Sequence, residues 1–308
     1  MNKFITLLDL AKRQGASAVA GLIEENTDAA PEFSRVPVRT ISGTTYKTNV
    51  RKELPAVQFR KANAGVETSK SEYAQDIVQT FIIDSQLEVD KAVVQADEEG
   101  QGAAGILADE AAGVMRSLML MIGTQFYYGE SADEDGFQGL ENAVDSSMVL
   151  DATGSTAATG SSCYGVRFGR QGVSFIAGKG SSLKLGRWRE QQITRDGKKL
   201  TALVNNLQGW MGLAFGHTKS VCRINNLTAQ AGKGMTDDLA ATMLSKCPVG
   251  MKPEVFFMSP RSLEQLRKSR QAIGSASYSQ GAVAPRPTEL HGIPIVETDS
   301  IVNTEAIV

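Results

Sequence analysis

"GTTYKTNVRKELPAVQFRKANAGVETSKSEYAQ", residues 43–75, decides how the rest of the chain is read. Tyr46, Thr48 and Val50 alternate with Lys47, Asn49 and Arg51, the two-residue period of a β-strand. Pro55 and Gly65 interrupt the segment, and its large apolar side chains are too few to face a core. The following run, "DIVQTFIIDSQLEVDKAVV" (76–94), places Ile77, Ile82, Leu87 and Val89 in a second strand-like pattern. Together the two runs predict a long two-stranded excursion around a polar tip near residues 54–70.

Outward from this excursion, no proline occurs between Asp97 and Tyr128. Ile106, Leu107, Ala111, Val114, Leu118, Ile122 and Phe126 recur at three- and four-residue steps, predicting a helix over about 97–128. At ~1.5 Å per residue such a helix is roughly 45 Å long. Asp97, Glu98 and Glu99 suit the positive end of its dipole, and Gly129 suits its C-terminal stop. Gly100, Gly102 and Gly105 weaken its first turns. Met115, Leu118, Met119 and Met121 read as packing residues rather than a cofactor box.

On the N-terminal side, "MNKFITLLDLAKRQG" has helical spacing, with Asp9, Lys12 and Arg13 interrupting it before a signal-peptide core forms. "ENTDAAPEFSRVPVRTISG" is extended, since Pro31 and Pro37 oppose helix. On the C-terminal side, "DATGSTAATGSS" (151–162) reads as a linker or exposed loop. Residues 163–227 then return to period two, with Asp196-Gly197 as a hairpin turn. Thr236 and Ser259 are N-cap candidates for two later helices, the second with Pro260 at its first position. "EVFFM" is a short buried strand, residues 271–287 a loop, and "LHGIPIVETDSI" a final strand.

A formal charge of −2 does not support a dedicated nucleic-acid binder. Cys163, Cys222 and Cys247 are too scattered for a disulfide framework or a zinc site and read as reduced residues of an intracellular, soluble chain. The longest apolar run, "LMLMIG", is far short of the ~20 residues of a membrane span. His217 and His291 have no partners at metal-ligand spacing, and "AQAGKG" lacks the rest of a phosphate loop. Asp133, Glu134 and Asp135 lack the alternation of a calcium loop and read as a solvated turn. Neither catalytic residues nor cofactor or metal ligands are assigned, and the chain is read as a non-enzyme.

The order of these pieces resembles the major capsid proteins of tailed double-stranded-DNA bacteriophages, whose fold is shared with encapsulin shells and the herpesvirus capsid floor. The resemblance is carried by the extended loop and its return strand, and by the long helix ending in "FYYGESADEDGFQGL". "PEVFFMSPRSLEQLRKSR" and "ELHGIPIVETDSI" follow in the family's order. It implies an α+β subunit with an N-terminal arm (1–40), an extended loop (41–80) and a peripheral domain with a spine helix (81–145). A β-rich block (146–230) would complete the peripheral domain, and an axial domain (231–308) would follow. The early position of that block resembles one branch of the family.

The resemblance further implies self-assembly through pentamers and hexamers into an icosahedral virion shell enclosing DNA, built in the host cytoplasm. Implied partners are a portal protein, a separate scaffolding protein (residues 1–40 leave no room for a fused one), decoration proteins and packaged DNA. Lys47, Arg51, Lys52, Phe59, Arg60 and Lys61 are the expected inter-subunit residues of the extended loop. Ile106, Leu107, Val114, Leu118, Ile122 and Phe126 are the expected packing stripe of the spine helix. Some relatives crosslink a Lys to an Asn, but nothing selects among Lys47, Lys52, Lys61 and Lys70. Two other readings stand beside this one: an encapsulin-like compartment shell, and an oligomeric enzyme or ligand-binding protein with residues 43–75 as a lid or dimerisation hairpin.

Overall fold

The computed structural model describes residues 30–96, 102–178, 183–273 and 284–308. The expected N-terminal helix, the helix onset at 97–101 and most of the 271–287 loop lie outside the described residues.

In chain order, α1 (Glu32–Arg35) leads into β1 (Val38–Thr40), β2 (Thr45–Glu53), β3 (Glu72–Gln79) and β4 (Phe81–Asp90). Two helices follow, α2 (Lys91–Ala96) and α3 (Gly102–Tyr128), then the single turn α4 (Leu140–Ala143). Next come β5 (Val149–Asp151), β6 (Cys163–Val166), β7 (Val173–Ala177), β8 (Lys184–Leu185), β9 (Arg189–Arg195), β10 (Lys198–Phe215) and β11 (Val221–Asn225). The chain closes with α5 (Asp237–Lys246), β12 (Val255–Met258), α6 (Pro260–Ile273), β13 (Glu289–Leu290) and β14 (Ile293–Glu297).

The strands form two six-stranded sheets and a separate two-stranded ribbon, β2–β3. The first sheet is built on the 18-residue β10, which runs antiparallel to β4 along one edge, from Ala202↔Asp90 to Met211↔Phe81. Along its other edge β9, β8 and β7 follow one another, and β1 extends β7 in parallel. The second sheet has the order β13-β14-β12-β6-β11-β5. Residues 146–230, expected as one block, are therefore divided: β7 to β10 join the first sheet, while β5, β6 and β11 pair with or beside β12 in the second.

The run 76–94, read as one strand, divides into three pieces. At Thr80 the backbone N–H and the Oγ1 hydroxyl both donate to the Thr44 carbonyl, each at 2.9 Å, closing the base of the ribbon. Beyond it the chain changes partner from β2 to β10, because Ile83 and Leu87 in β4 have core-facing positions to fill. The third piece is helical: the Asp90 carboxylate accepts the Ala92 N–H at 2.9 Å, capping α2.

The α3 helix, 27 residues and roughly 40 Å long, carries the predicted stripe. Leu118, Ile122 and Phe126 are buried, and Ile106, Leu107 and Val114 are half-buried. Met121 departs from its expected packing role at 45 % exposure, since it lies on the face opposite Met119. The stripe packs into a core where Phe126, Tyr127, Phe175, Tyr164 and Phe257 meet edge-to-face or tilted, with ring centroids 5.0–6.2 Å apart. Gly129 ends the helix at φ +54, and a Cβ there would come within 2.1 Å of the Gly139 nitrogen. Asp196 and Gly197 both take positive φ between β9 and β10, and Thr236 and Ser259 cap α5 and α6 through Leu239 and Ser262, as their sequence positions predict.

The 151–162 segment is packed, not an exposed linker. Ala152, Ser161 and Ser162 are buried, and Gly160 bridges to Glu305 backbone to backbone in both directions. Small residues are needed there for close approach: a Cβ on Gly154 would lie 2.3 Å from the Asn226 carbonyl oxygen. Nearby, the buried Arg223 donates from Nε to Ser162 at 2.9 Å, from Nη1 to Glu141 at 2.8 Å and from Nη2 to Glu305 at 3.2 Å. Glu305 also accepts the Tyr128 hydroxyl at 2.6 Å and the Ser162 hydroxyl at 2.5 Å. Five segments distant in sequence are pinned by this one network.

Candidate assembly surfaces

The β2–β3 ribbon runs antiparallel from Thr45↔Gln79 at its base to Glu53↔Glu72, with an irregularity between Arg51 and Glu53. Nine residues at ~3.3 Å each carry it roughly 30 Å from the body. Residues 54–71 continue as a tip without strand pairing, and nearly all of it is exposed. The tip nonetheless has a defined course. Ser69 Oγ donates to the Ala56 carbonyl across it at 3.0 Å, and Arg60 Nη1 donates to the Ala64 carbonyl at 2.9 Å. Asn63 takes φ +66 inside the turn closed by Ala64 N–H to Lys61 carbonyl.

The tip carries an apolar set with no core beneath it. Leu54 is 74 % exposed, Val57 93 %, Phe59 109 % and Val66 49 %. Of the residues expected at an interface, Phe59, Arg60 and Lys61 lie together here, exposed. Lys47 is exposed near the base, and Arg51 and Lys52 belong to the outer half of β2. Residues 54–66 hold Arg60 and Lys61 and no acidic side chain.

A second surface was not anticipated from the sequence as a place for a partner. At the base of the ribbon, a groove of about 360 Å³ has Val78, Phe81, Phe137, Leu213 and Phe215 among its walls. Glu130 and Glu134 stand at its edge, on the exposed turn that follows α3. Gln125 holds that turn from below, donating to the Phe137 carbonyl at 2.7 Å and the Asp133 carbonyl at 3.2 Å. Glu130, Asp133, Glu134 and Asp135 make the turn strongly acidic, a signal present in "ESADED". The three chain segments that enclose the groove come from residues 77–81, 130–138 and 213–215, so no local pattern announces it.

The residues weighed for chemistry take structural roles. His291 Nε2 hydrogen-bonds with the Asp237 carbonyl at 3.0 Å, and His217 Nδ1 accepts the Lys219 N–H at 3.0 Å. Lys233 of "AQAGKG" donates to the Thr153 hydroxyl at 2.5 Å. The three cysteines are buried and free, and burial pushes the Cys163 thiol well up. Among the described residues no cluster of three His, Cys, Asp or Glu side chains is placed to hold a metal, and no helix is long and apolar enough to cross a membrane.

A two-sheet α+β body with a long helix and a projecting coreless ribbon is the architecture of capsid shell subunits. The chain is similar in fold to the solved structure of bacteriophage epsilon15, at TM-score 0.65 and 17 % identity over 87 % of this chain and 86 % of that one. It also matches the bacteriophage JBD30 capsid, at TM-score 0.48 and 10 % identity over 85 % of this chain and 88 % of that one. The SrpI encapsulin complex of Synechococcus elongatus matches at TM-score 0.45 and 9 % identity, over 63 % of this chain and 86 % of that one. No curated protein matches in sequence. The chain belongs to the family described as Major capsid protein GP7, which matches residues 18–308. It is a structural, shell-forming protein of the phage virion, with the tailed-phage capsid fold.

Proposed function

We propose that this subunit assembles through pentameric and hexameric rings into an icosahedral shell around double-stranded DNA, with the β2–β3 ribbon as its principal inter-subunit arm. The observation that carries the reading is the ribbon itself: two strands and four exposed apolar tip residues, with no core of their own. A two-stranded hairpin is marginal alone in water. Full burial of Leu54, Val57, Phe59 and Val66 is worth about 6–12 kcal/mol in gross transfer free energy, much of it offset by the cost of association. Lys47, Arg51, Lys52, Arg60 and Lys61 add basic charge for pairing with a neighbour.

An arm that leaves one subunit for a different surface of the next makes a heterologous contact, which closes into rings. In this reading the first sheet with α3 forms the peripheral domain. The second sheet with α5 and α6 forms the axial domain, to which β5, β6 and β11 belong. Assembly takes place in the host cytoplasm, with scaffolding and portal proteins as partners and decoration proteins on the finished shell. The near-neutral chain contacts packaged DNA only non-specifically.

Deletion of residues 48–66 tests the arm. The expected result is a folded subunit, by circular dichroism, that forms no shells by sedimentation or electron microscopy with scaffold supplied. Shells of normal size and yield from the deleted chain would overturn the reading.

A further inference from the structure

The ribbon tip and the groove at the ribbon base are complementary in both composition and charge. The tip offers Phe59 and Val57 flanked by Arg60 and Lys61. The groove offers aromatic walls, Phe81, Phe137 and Phe215, beneath Glu130 and Glu134. We infer that the groove is the receptor for the arm of a second copy: Phe59 or Val57 enters between the aromatic walls while Arg60 and Lys61 face the acidic turn. This deepens the arm reading and rests on it.

Reach excludes the alternative in which each chain fills its own groove. Ile77 and Val78, which help enclose the groove, belong to the base of the same ribbon. The paired strands hold the tip roughly 30 Å away along a hydrogen-bonded ladder. The occupant must therefore be another subunit. Because donor tip and acceptor groove are opposite ends of one rigid element, each subunit that receives an arm also presents one. The contact propagates head to tail and, at a suitable rotation, closes a ring. The acidic turn is also well placed to hold its shape, since Gln125 ties it to α3 and the Gly129–Gly139 contact closes it.

Charge exchange tests the pairing in the full-length chain. Arg60→Glu with Lys61→Glu, and separately Glu130→Lys with Glu134→Lys, should each lower the assembled fraction at a fixed subunit concentration by roughly tenfold or more. All four side chains are exposed, so thermal unfolding of the free subunit should be unchanged. Combining the four substitutions should restore assembly to near the original level. If either pair assembles normally, or if the combined variant stays as defective as the singles, the pairing is wrong. The arm reading would survive that result so long as deletion of residues 48–66 still abolishes shells.

A direct readout places one thiol on each side of the contact, Phe59→Cys with Gln138→Cys. Incubation with oxidised glutathione should give a ladder of covalent oligomers on a non-reducing gel, against little background because the native cysteines are buried. Glutathione-blocked monomer alone, in samples that sedimentation shows to be assembled, would place the tip elsewhere and overturn the inference.

Discussion

Removing the guanidinium at the centre of the Arg223 network should be among the costliest single changes outside the aromatic core. Arg223→Met leaves Glu305, whose side chain is 7 % exposed, without its cation, while Glu141 at 26 % can be re-solvated. Breaking a buried pair by deleting one partner costs about 3–5 kcal/mol. Glu305 keeps the Tyr128 and Ser162 hydroxyls as donors, so the lower end, about 3 kcal/mol, is expected. Glu305→Gln leaves Arg223 with Glu141 and should cost about 1–2 kcal/mol. Once Arg223 is gone, neutralising Glu305 removes the unpaired charge, so the double variant should be no worse than Arg223→Met alone. That is a coupling of about 1–2 kcal/mol, well above the ~0.5 kcal/mol expected of independent sites. The assay is urea unfolding of dissociated subunits, followed through Trp188 and Trp210. Additive costs, with coupling below about 0.5 kcal/mol, would refute the claim that these two charges stabilise each other in the folded subunit.

Two further perturbations follow from the geometry. Gly129→Ala should destabilise the subunit by about 2–4 kcal/mol, from its left-handed backbone and the collision with Gly139, whereas Gly65→Ala meets nothing within 4 Å and should leave the unfolding midpoint unchanged. Glu32 accepts the Tyr127 hydroxyl at 2.7 Å and the Thr298 hydroxyl at 2.5 Å, yet burial dominates and holds its carboxyl above the usual range. A raised folded-state value means stability complete below the unfolded value of ~4.3 and lost as pH climbs through the folded one. The stability of the wild type relative to Glu32→Gln should therefore fall with rising pH, at up to about 1.4 kcal/mol per unit. A relative stability that stays constant from about pH 4 to 8 would contradict it.

The candidate site was legible in part. The interface residues of the ribbon were readable because a period-two segment without apolar weight has no core to serve, and Phe59, Arg60 and Lys61 do lie exposed at its tip. The groove was not readable as a groove. Glu130 to Asp135 could be seen as acidic, but their neighbours Phe81 and Phe215 are brought beside them only by the β4–β10 pairing around Met211↔Phe81. The 152–162 loop misled for a related reason. Small residues mark both solvated linkers and tightly packed backbone, and only the approach of Asn226 and Glu305 distinguishes the two.

By itself the sequence determined whatever is set within a few residues of the backbone. That includes the α3 stripe, the Gly129 stop, the Asp196-Gly197 turn, the Thr236 and Ser259 caps, and the coreless ribbon that marks an assembling subunit. Only the tertiary structure decided which sheet each strand joins and hence how residues 146–230 are shared. Alternation states that a strand has one buried face, but β6 and β7 carry equally buried patterns and end in different sheets. Strand choice depends on packing against distant elements, and loop-closure entropy grows too slowly with length to favour the near partner decisively. The same non-local packing brings Arg223 to Glu305 and encloses the groove at the base of the ribbon.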